Sequence, residues 1–133
     1  MTSAKLKWTE QTRFEATATS GHTVITDADS KVGNSPMELL LIALCGCTAT
    51  DVVTILRKKR EPFTAVEVNA EAEKAADPPR VYTAIKLSYR VSGNVSRKSV
   101  EDAVRLSEEK YCSVGAMLNK TATITHQIEL DSP

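Results

Sequence analysis

The sequence predicts an α+β fold in which one long apolar helix lies between two antiparallel sheets. Three observations predict it: residues 35–60 carry helix start and stop signals around an apolar run, short alternating segments precede that run, and a long alternating hairpin follows it. We expect a single domain, with an N-terminal sheet in residues 1–34, the central helix in 35–60 and the remaining elements in 61–133.

Three short strands are predicted before the helix, at residues 5–9, 13–19 and 22–27. Ser20-Gly21 is typical of a turn between the last two strands. Residues 27–34 are mostly polar and include a glycine, so we predict a loop that leads to the helix.

Both ends of the central helix carry recognisable signals. Ser35 is a favourable N-cap, Pro36 suits the first helical position, and Glu38 lies three residues after Ser35, as in a capping box. Basic residues at positions 57–60 suit the negative end of the helix dipole, and Pro62 ends the helix.

The middle of this helix is apolar on nearly every side, which is typical of a helix that is buried or spans a membrane. Glu38, Gly46 and Asp51 interrupt the apolar run below the roughly 20 residues that a bilayer needs, so we predict a buried helix and no membrane association. One chain of 133 residues can hardly cover such a helix, so a second copy is expected to cover it in a homodimer.

A hairpin is predicted after the central helix, because residues 66–73 and 80–91 both alternate with a period of two. Residues 77–79, Asp-Pro-Pro, predict the turn between the strands. In the second strand the odd-numbered residues 81–91 are predicted to share one face, and the even-numbered residues 80–90 the opposite face.

A second, amphipathic helix is predicted to start at Ser96 or Ser99, followed by a short helix that Ser113 caps and a last strand at residues 121–130. The last strand places His126 on its apolar face, which predicts a core histidine. The inward face of the second helix is predicted to hold Val100, Ala103, Val104 and Tyr111. Its outward face is predicted to hold Glu101, Asp102, Arg105, Glu108 and Glu109.

The composition argues against several functional classes. Seventeen basic and seventeen acidic residues give a formal net charge of zero, which argues against a general nucleic-acid or membrane-surface role. The first residues lack the apolar core of a signal peptide. Three cysteines without an export signal predict a cytoplasmic protein whose thiols are buried or reactive and do not form structural bridges.

Cys47 and Cys112 are the candidate reactive residues, although free cysteines are also common as small buried apolar residues. Reactivity requires a thiolate, so Cys47 in mid-helix needs a cation from elsewhere. Arg13 is the only arginine before the central helix and is the candidate, and Asp51, one turn after Cys47, could position it. Cys112 precedes a predicted helix start, whose dipole would favour its thiolate.

No metal site is predicted. Cys45 and Cys47 are two residues apart, so they point about 200° apart around a helix and can neither bridge each other nor share a metal ion easily. His22 and His126 lack the spacing of metal ligands.

Two runs, NSPMELLLIALCGCTATDVV at residues 34–53 and SEEKYCSVGAML at residues 107–118, resemble the OsmC/Ohr family of thiol peroxidases. The resemblance is greatest to its short YhfA-like branch and covers nearly the whole chain from Trp8. It implies an intertwined homodimer in which long central helices pack against six-stranded sheets, with two sites at the interface.

The resemblance also implies a reaction. Cys47 matches the peroxidatic cysteine, which attacks a small hydroperoxide, organic in the Ohr members, and becomes a sulfenic acid. Cys112 matches the resolving cysteine, which converts that acid to a disulfide. A dithiol, for which a lipoyl-type dithiol is one candidate, then restores both thiols without a cofactor. The function implied is defence against oxidative or osmotic stress.

The helix start departs from the family pattern at one position. The peroxidases carry a glutamate directly after the helix-start proline, where it orients the catalytic arginine, and this chain has Met37 there. Glu38 lies about 100° further round the helix. Met37, Glu38 and Asp51 are therefore candidate substrate-binding residues. The alternative function is a dimeric binding or stress protein that keeps an apolar interface pocket but turns over little.

Overall fold

The computed structural model describes residues 1–132, and its mixed helix and strand architecture confirms the predicted α+β class. The chain divides into two compact units, residues 1–42 and 43–133. The elements in order are β1 (Ala4–Glu10), β2 (Arg13–Ala18), β3 (Thr23–Asp27), α1 (Pro36–Lys58), β4 (Phe63–Lys74), β5 (Tyr82–Gly93), α2 (Arg97–Leu106), a π-helical segment (Ser107–Tyr111), α3 (Ser113–Leu118) and β6 (Thr123–Asp131).

The first unit contains an antiparallel three-stranded sheet in the order β1-β2-β3, as predicted. Trp8 lies opposite Phe14, and Phe14 lies opposite Thr26. Gln11 turns the chain between β1 and β2 with a φ of 48°, a left-handed conformation.

The buried carboxylate of Asp27 holds the loop after β3 in place. It accepts hydrogen bonds from Thr12 Oγ1 at 2.6 Å and from the backbone N–H groups of Asp29, Lys31 and Val32 at 2.9, 3.3 and 3.2 Å. The bond from Thr12, with support from the three amides, lowers the pKa of Asp27 from its ordinary value of 3.8 to about 2.

Asp27→Asn is expected to destabilise the protein at neutral pH, because an amide cannot accept all of these bonds as a carboxylate does. Since the folded-state pKa is the lower one, the contribution of Asp27 is complete above 3.8 and is lost as the pH falls towards about 2. Urea unfolding at several pH values measures this loss. Asp29→Asn on the same loop is the control, and equal effects of the two variants would contradict the role given to Asp27.

The capping box predicted at the start of α1 is confirmed. The backbone N–H of Ser35 donates to Glu38 Oε1 at 2.8 Å, and the backbone N–H of Glu38 donates to Ser35 Oγ at 3.1 Å. At the other end Arg60 adopts a φ of 57°, and the N–H of Glu61 donates to the carbonyl of Leu56 at 3.0 Å. This left-handed turn satisfies carbonyls of the last helical turn before Pro62.

Within the single chain, helix α1 is buried along one stripe, and the predicted cover of its other sides by a second copy stays a prediction. The stripe has the i, i+4 spacing of one helix face and consists of Leu44, Thr48, Val52 and Leu56. Leu40 and Ile42 remain 41% and 52% exposed in the single chain. The most apolar part of α1 has a mean hydropathy of 2.2, so the helix is long and apolar enough to cross a membrane. Its polar residues therefore interrupt the apolar run less than predicted. Core helices of soluble proteins also have this length and hydropathy.

The second sheet has the order β4-β5-β6 and is mixed, which corrects the expectation of antiparallel sheets. Strands β4 and β5 form the predicted antiparallel hairpin, in which Val68 lies opposite Tyr89. Strands β5 and β6 are parallel, with Leu87 opposite His126. The parallel pairing follows from the connection, because α2, the π-helical segment and α3 carry the chain back before β6 begins.

Alternation in β5 is confirmed for Ile85, Leu87, Tyr89 and Val91, which are all buried. Tyr82 is the exception: it was predicted on the face opposite these residues, but its side chain is buried with only 6% exposed. The pairing register with β4 shifts between Glu73 and Lys74, opposite Ala84 and Tyr82. Such an irregularity displaces the side-chain alternation by one residue.

Helix α2 starts as predicted, with Ser96 as its N-cap accepting the N–H of Ser99 at 3.3 Å. Val100, Ala103 and Val104 are buried as predicted, but Tyr111 is 50% exposed. The π-helical segment explains the difference: the N–H of Cys112 donates to the carbonyl of Ser107, five residues back, at 2.8 Å. The wider turn rotates the following residues away from the α-helical period.

Candidate active site

The second unit brings Cys47 and Cys112 together. Cys47 is half-buried in α1, and Cys112 is 5% exposed between the π-helical segment and α3. The two side chains lie close enough for Cys47 to raise the pKa of the Cys112 thiol. All three cysteines, including Cys45, are free thiols. Burial raises the pKa of Cys45, which therefore favours the neutral thiol.

Cys112 itself is the N-cap of α3, where Ser113 was predicted. Its Sγ accepts the N–H of Gly115 at 3.3 Å. A Cβ at position 115 would lie 3.2 Å from that sulfur, tighter than ordinary contact, so the glycine permits this approach.

The Cys112 thiol stays protonated at neutral pH. Burial raises its pKa to about 12, and the neighbouring Cys47 and Asp51 act in the same direction. The amide of Gly115 lowers the pKa, as the predicted helix start implied, but burial outweighs it. Cys112 is therefore a proton donor towards Cys47, and it must lose its own proton before it can act as a nucleophile.

A buried row of hydroxyl groups connects three elements beside the two cysteines. Ser107 Oγ donates to Asp51 Oδ2 at 2.8 Å, and Ser107 Oγ lies 2.8 Å from Thr48 Oγ1. Thr48 Oγ1 in turn lies 2.8 Å from the Tyr89 hydroxyl. Tyr89, Thr48 and Ser107 are each at most 1% exposed, and burial raises the pKa of Tyr89 above its ordinary value.

The direction of every hydrogen bond in this row is fixed. The carboxylate of Asp51 can only accept hydrogen bonds, so the single hydroxyl proton of Ser107 must be donated to Asp51. Thr48 must then donate to Ser107, and Tyr89 must donate to Thr48. Asp51 thus positions Ser107 and Thr48. The sequence did not predict this role; it predicted that Asp51 would position an arginine or bind the substrate.

A cavity of about 90 Å³ opens beside Cys112. Its wall is mostly apolar and includes one carboxylate, that of Glu108. The lining consists of Leu44, Thr48, Leu87, Glu108, Cys112, Gly115, Ala116, Asn119 and Ile124. The cavity offers room for a small ligand or a few water molecules next to the thiol.

Glu108 and His126 make a close polar contact that the sequence did not reveal. Glu108 Oε1 lies 2.8 Å from His126 Nδ1, and the His126 ring meets the Tyr89 ring edge-on with a centroid distance of 6.1 Å. Burial raises the pKa of Glu108, while His126 lowers it in part. His126 is 38% exposed and thus not the predicted core histidine, and Glu108 is not simply outward-facing, because the π-helical segment turns it towards the cavity.

The other predicted site residues lie in the first unit. Arg13 pairs with Glu10 at 2.9 Å and with Asp27 at 3.5 Å. Glu38 serves the capping box and also accepts from Ser30 Oγ at 2.8 Å. The predicted roles of Arg13 towards Cys47, and of Met37 and Glu38 towards a substrate, stay predictions.

Within residues 1–132, no group of three or more His, Cys, Asp or Glu side chains has an arrangement that could hold a metal ion. The described part of the chain does bring the two cysteines and the hydroxyl row together. Thr48 has a sequence signal, since it lies four residues from both Leu44 and Val52 on the buried stripe. Ser107 and Tyr89 have none beyond their places in a helical and an alternating pattern.

Comparison with known proteins places this geometry in context. The model of the OsmC-like protein family matches residues 27–127. Protein YhfA of Escherichia coli K12 is 42% identical over 129 residues, which cover 96% of each chain. A solved hypothetical protein of Aquifex aeolicus is 29% identical with a TM-score of 0.92, covering 100% of this chain and 98% of its own. The organic hydroperoxide resistance protein OhrB of Bacillus subtilis shares the fold alone, with 11% identity, a TM-score of 0.70 and coverage of 97% and 98%.

Proposed function

This chain belongs to the OsmC-like family, and from that premise we propose that it is a thiol-dependent peroxidase that reduces organic hydroperoxides through Cys47 and Cys112. The observation that carries the proposal is the proximity of the two thiols, of which that of Cys112 lines a small, mostly apolar cavity. Structural neighbours described as organic hydroperoxide resistance proteins support the choice of substrate class.

The reaction has three balanced steps. The Cys47 thiolate attacks the hydroperoxide, the O–O bond breaks, and Cys47 becomes a sulfenic acid. The alkoxide that leaves takes up a proton from solvent and departs as an alcohol. The Cys112 sulfur then attacks Cys47, water leaves, and a disulfide forms. A dithiol reductant, with a lipoyl-type dithiol as one candidate, reduces that disulfide and becomes oxidised itself. We place this chemistry in the cytoplasm, where such reductants keep thiols reduced.

The test is treatment of the wild-type protein with an organic hydroperoxide, followed by peptide mass spectrometry. One equivalent per chain is expected to be consumed, with a Cys47–Cys112 disulfide formed and Cys45 left reduced. Hydrogen peroxide is expected to react more slowly than a bulky organic hydroperoxide, because the surrounding helix is apolar. Three free thiols after treatment, or a disulfide at Cys45, would refute the proposal.

A second function is favoured by one observation, the presence of Met37 where the peroxidases carry a glutamate. In this alternative the protein binds a small apolar ligand and has little turnover. Alkylation of Cys47 at several pH values separates the two, because a reactive thiolate at neutral pH supports the peroxidase and an inert thiol supports the binding protein.

The proposed assembly is a homodimer. Leu40 and Ile42 on α1 and Leu6 and Trp8 on β1 are between 41% and 64% exposed, and so many large apolar side chains on a single chain mark an interface. Sedimentation is expected to give a dimer at micromolar concentration, and Ile42→Glu is expected to weaken it. Lys120→Glu, at an exposed polar position, is the control; a folded wild-type monomer would contradict the assembly.

A further inference from the structure

The Glu108–His126 pair stands between two openings. On one side Glu108 lines the cavity that contains Cys112. On the other side Glu108 and His126 both line a wider surface groove, together with Arg97, Glu101, Arg105, Glu109, Gln127 and Ile128. The 2.8 Å contact between Glu108 Oε1 and His126 Nδ1 thus links the interior thiol to the surface.

We propose that Glu108, positioned by His126, is the general base that removes the Cys112 proton when Cys112 closes the disulfide with Cys47. This inference rests on the proposed function, since disulfide closure is its second step. Glu108 takes the proton directly or through water in the cavity and then gives it to the hydroxide that leaves Cys47.

The step needs a base, because Cys112 is not a thiolate by itself. With a pKa of about 12, roughly one Cys112 in 10⁵ is ionised at neutral pH. Asp51 and Cys47, which face Cys112 from α1, disfavour its ionisation further. A positioned carboxylate typically accelerates such a proton transfer by about 10²–10⁴-fold.

Glu108 is the carboxylate among the described residues that line this cavity. Neither Asp51 nor Tyr89 is among the described residues that line this cavity. Asp51 accepts a hydrogen bond from Ser107, and Tyr89 donates one to Thr48. The charged and titratable groups around Glu108 are His126 on β6, Tyr89 on β5, Glu109 beside it, and Arg97, Glu101 and Arg105 on α2 across the groove.

The atoms balance as follows. The Cys112 proton moves to the Glu108 carboxylate, the Cys112 sulfur bonds to the Cys47 sulfur, and the S–O bond of the sulfenic acid breaks. The hydroxide that leaves takes up the proton from Glu108, so the products are the Cys47–Cys112 disulfide and one water molecule, and Glu108 is again a carboxylate.

Disulfide closure can be measured without any peroxide, which separates this inference from the proposed function. In a Cys45→Ser background, Cys47 is converted to a mixed disulfide with a coloured aromatic thiol, and Cys112 then expels that thiol as it closes the disulfide. Stopped-flow absorbance gives the closure rate at several pH values. In this assay the proton passes to Glu108 and the aromatic thiolate leaves.

The rate of disulfide closure in the wild type is expected to rise as the pH passes the pKa of Glu108 and then to stay level through neutral pH. Burial raises that pKa above its ordinary value. Glu108→Gln is expected to slow closure about 100-fold at neutral pH. Its rate should then rise about tenfold per pH unit above neutral pH, because only the ionised fraction of Cys112 reacts. Glu109→Gln, in the next position, should keep the wild-type rate at neutral pH and move only the acid inflection, to lower pH, because Glu109 raises the pKa of Glu108. Glu108→Asp should restore part of the rate.

The role of His126 in positioning Glu108 is tested by a separate measurement, the pH of the acid inflection. Because His126 lowers the pKa of Glu108, His126→Ala should move the acid inflection of the closure profile to higher pH. A wild-type closure rate that climbs steadily through neutral pH would overturn the inference even if the Glu108→Gln protein did not fold. Equal rates and profiles for Glu108→Gln and the wild type would overturn it as well.

Discussion

Cys47→Ser is expected to abolish hydroperoxide consumption, because a serine hydroxyl at this place cannot supply the thiolate that attacks the O–O bond. The loss should be complete within the detection limit of a coupled assay. Cys45→Ser is the matched control two residues earlier on the same helix, and it is expected to keep full turnover. Consumption by the Cys47→Ser protein would show that another group carries the chemistry.

Cys112→Ser should give a different defect. Its Cys47 is expected to consume one equivalent of hydroperoxide and then stop, because no thiol remains to close the disulfide. A sulfenic-acid trap followed by mass spectrometry should find the label on Cys47. Sustained turnover of this variant at the wild-type rate would exclude Cys112 as the resolving residue.

Leu44→Asp is expected to prevent folding. Leu44 is 1% exposed on the buried stripe of α1 and lines the cavity beside Cys112. An unpaired carboxylate in this place costs several kcal/mol, against a total stability of about 5–15 kcal/mol for a typical domain. Circular dichroism during urea unfolding measures the result.

Leu44→Met is the control for this substitution, because it keeps the apolar volume and is expected to cost less than about 1.5 kcal/mol. A Leu44→Asp protein that is soluble and unfolds cooperatively like the wild type would contradict the buried position of this stripe.

Local signals in the sequence were sufficient for most of the elements. Ser35 and Glu38 form the capping box that their spacing predicts, and Ser96 caps α2. The alternation of Ile85, Leu87 and Tyr89 correctly predicts the buried face of β5. These features depend on residues within a few positions of each other, which is why a single sequence contains them.

The errors concern features that depend on distant partners. The π-helical segment has no local signal, so Tyr111 and Glu108 were assigned to the wrong faces. The parallel direction of β6 depends on how the preceding helices return the chain. The role of His126 depends on Glu108, which is 18 positions away in the sequence but within 2.8 Å in the fold.

The hydrogen bonds of the hydroxyl row depend on one another, because they pass through a single shared atom, Thr48 Oγ1. The Thr48 hydroxyl accepts a hydrogen bond from Tyr89 and donates one to Ser107. Removal of that one oxygen would therefore break two buried hydrogen bonds: the Tyr89 hydroxyl on β5 would lose its acceptor, and Ser107 on the π-helical segment would keep only Asp51. A single atom on α1 thus ties together stretches of chain 41 and 59 residues away.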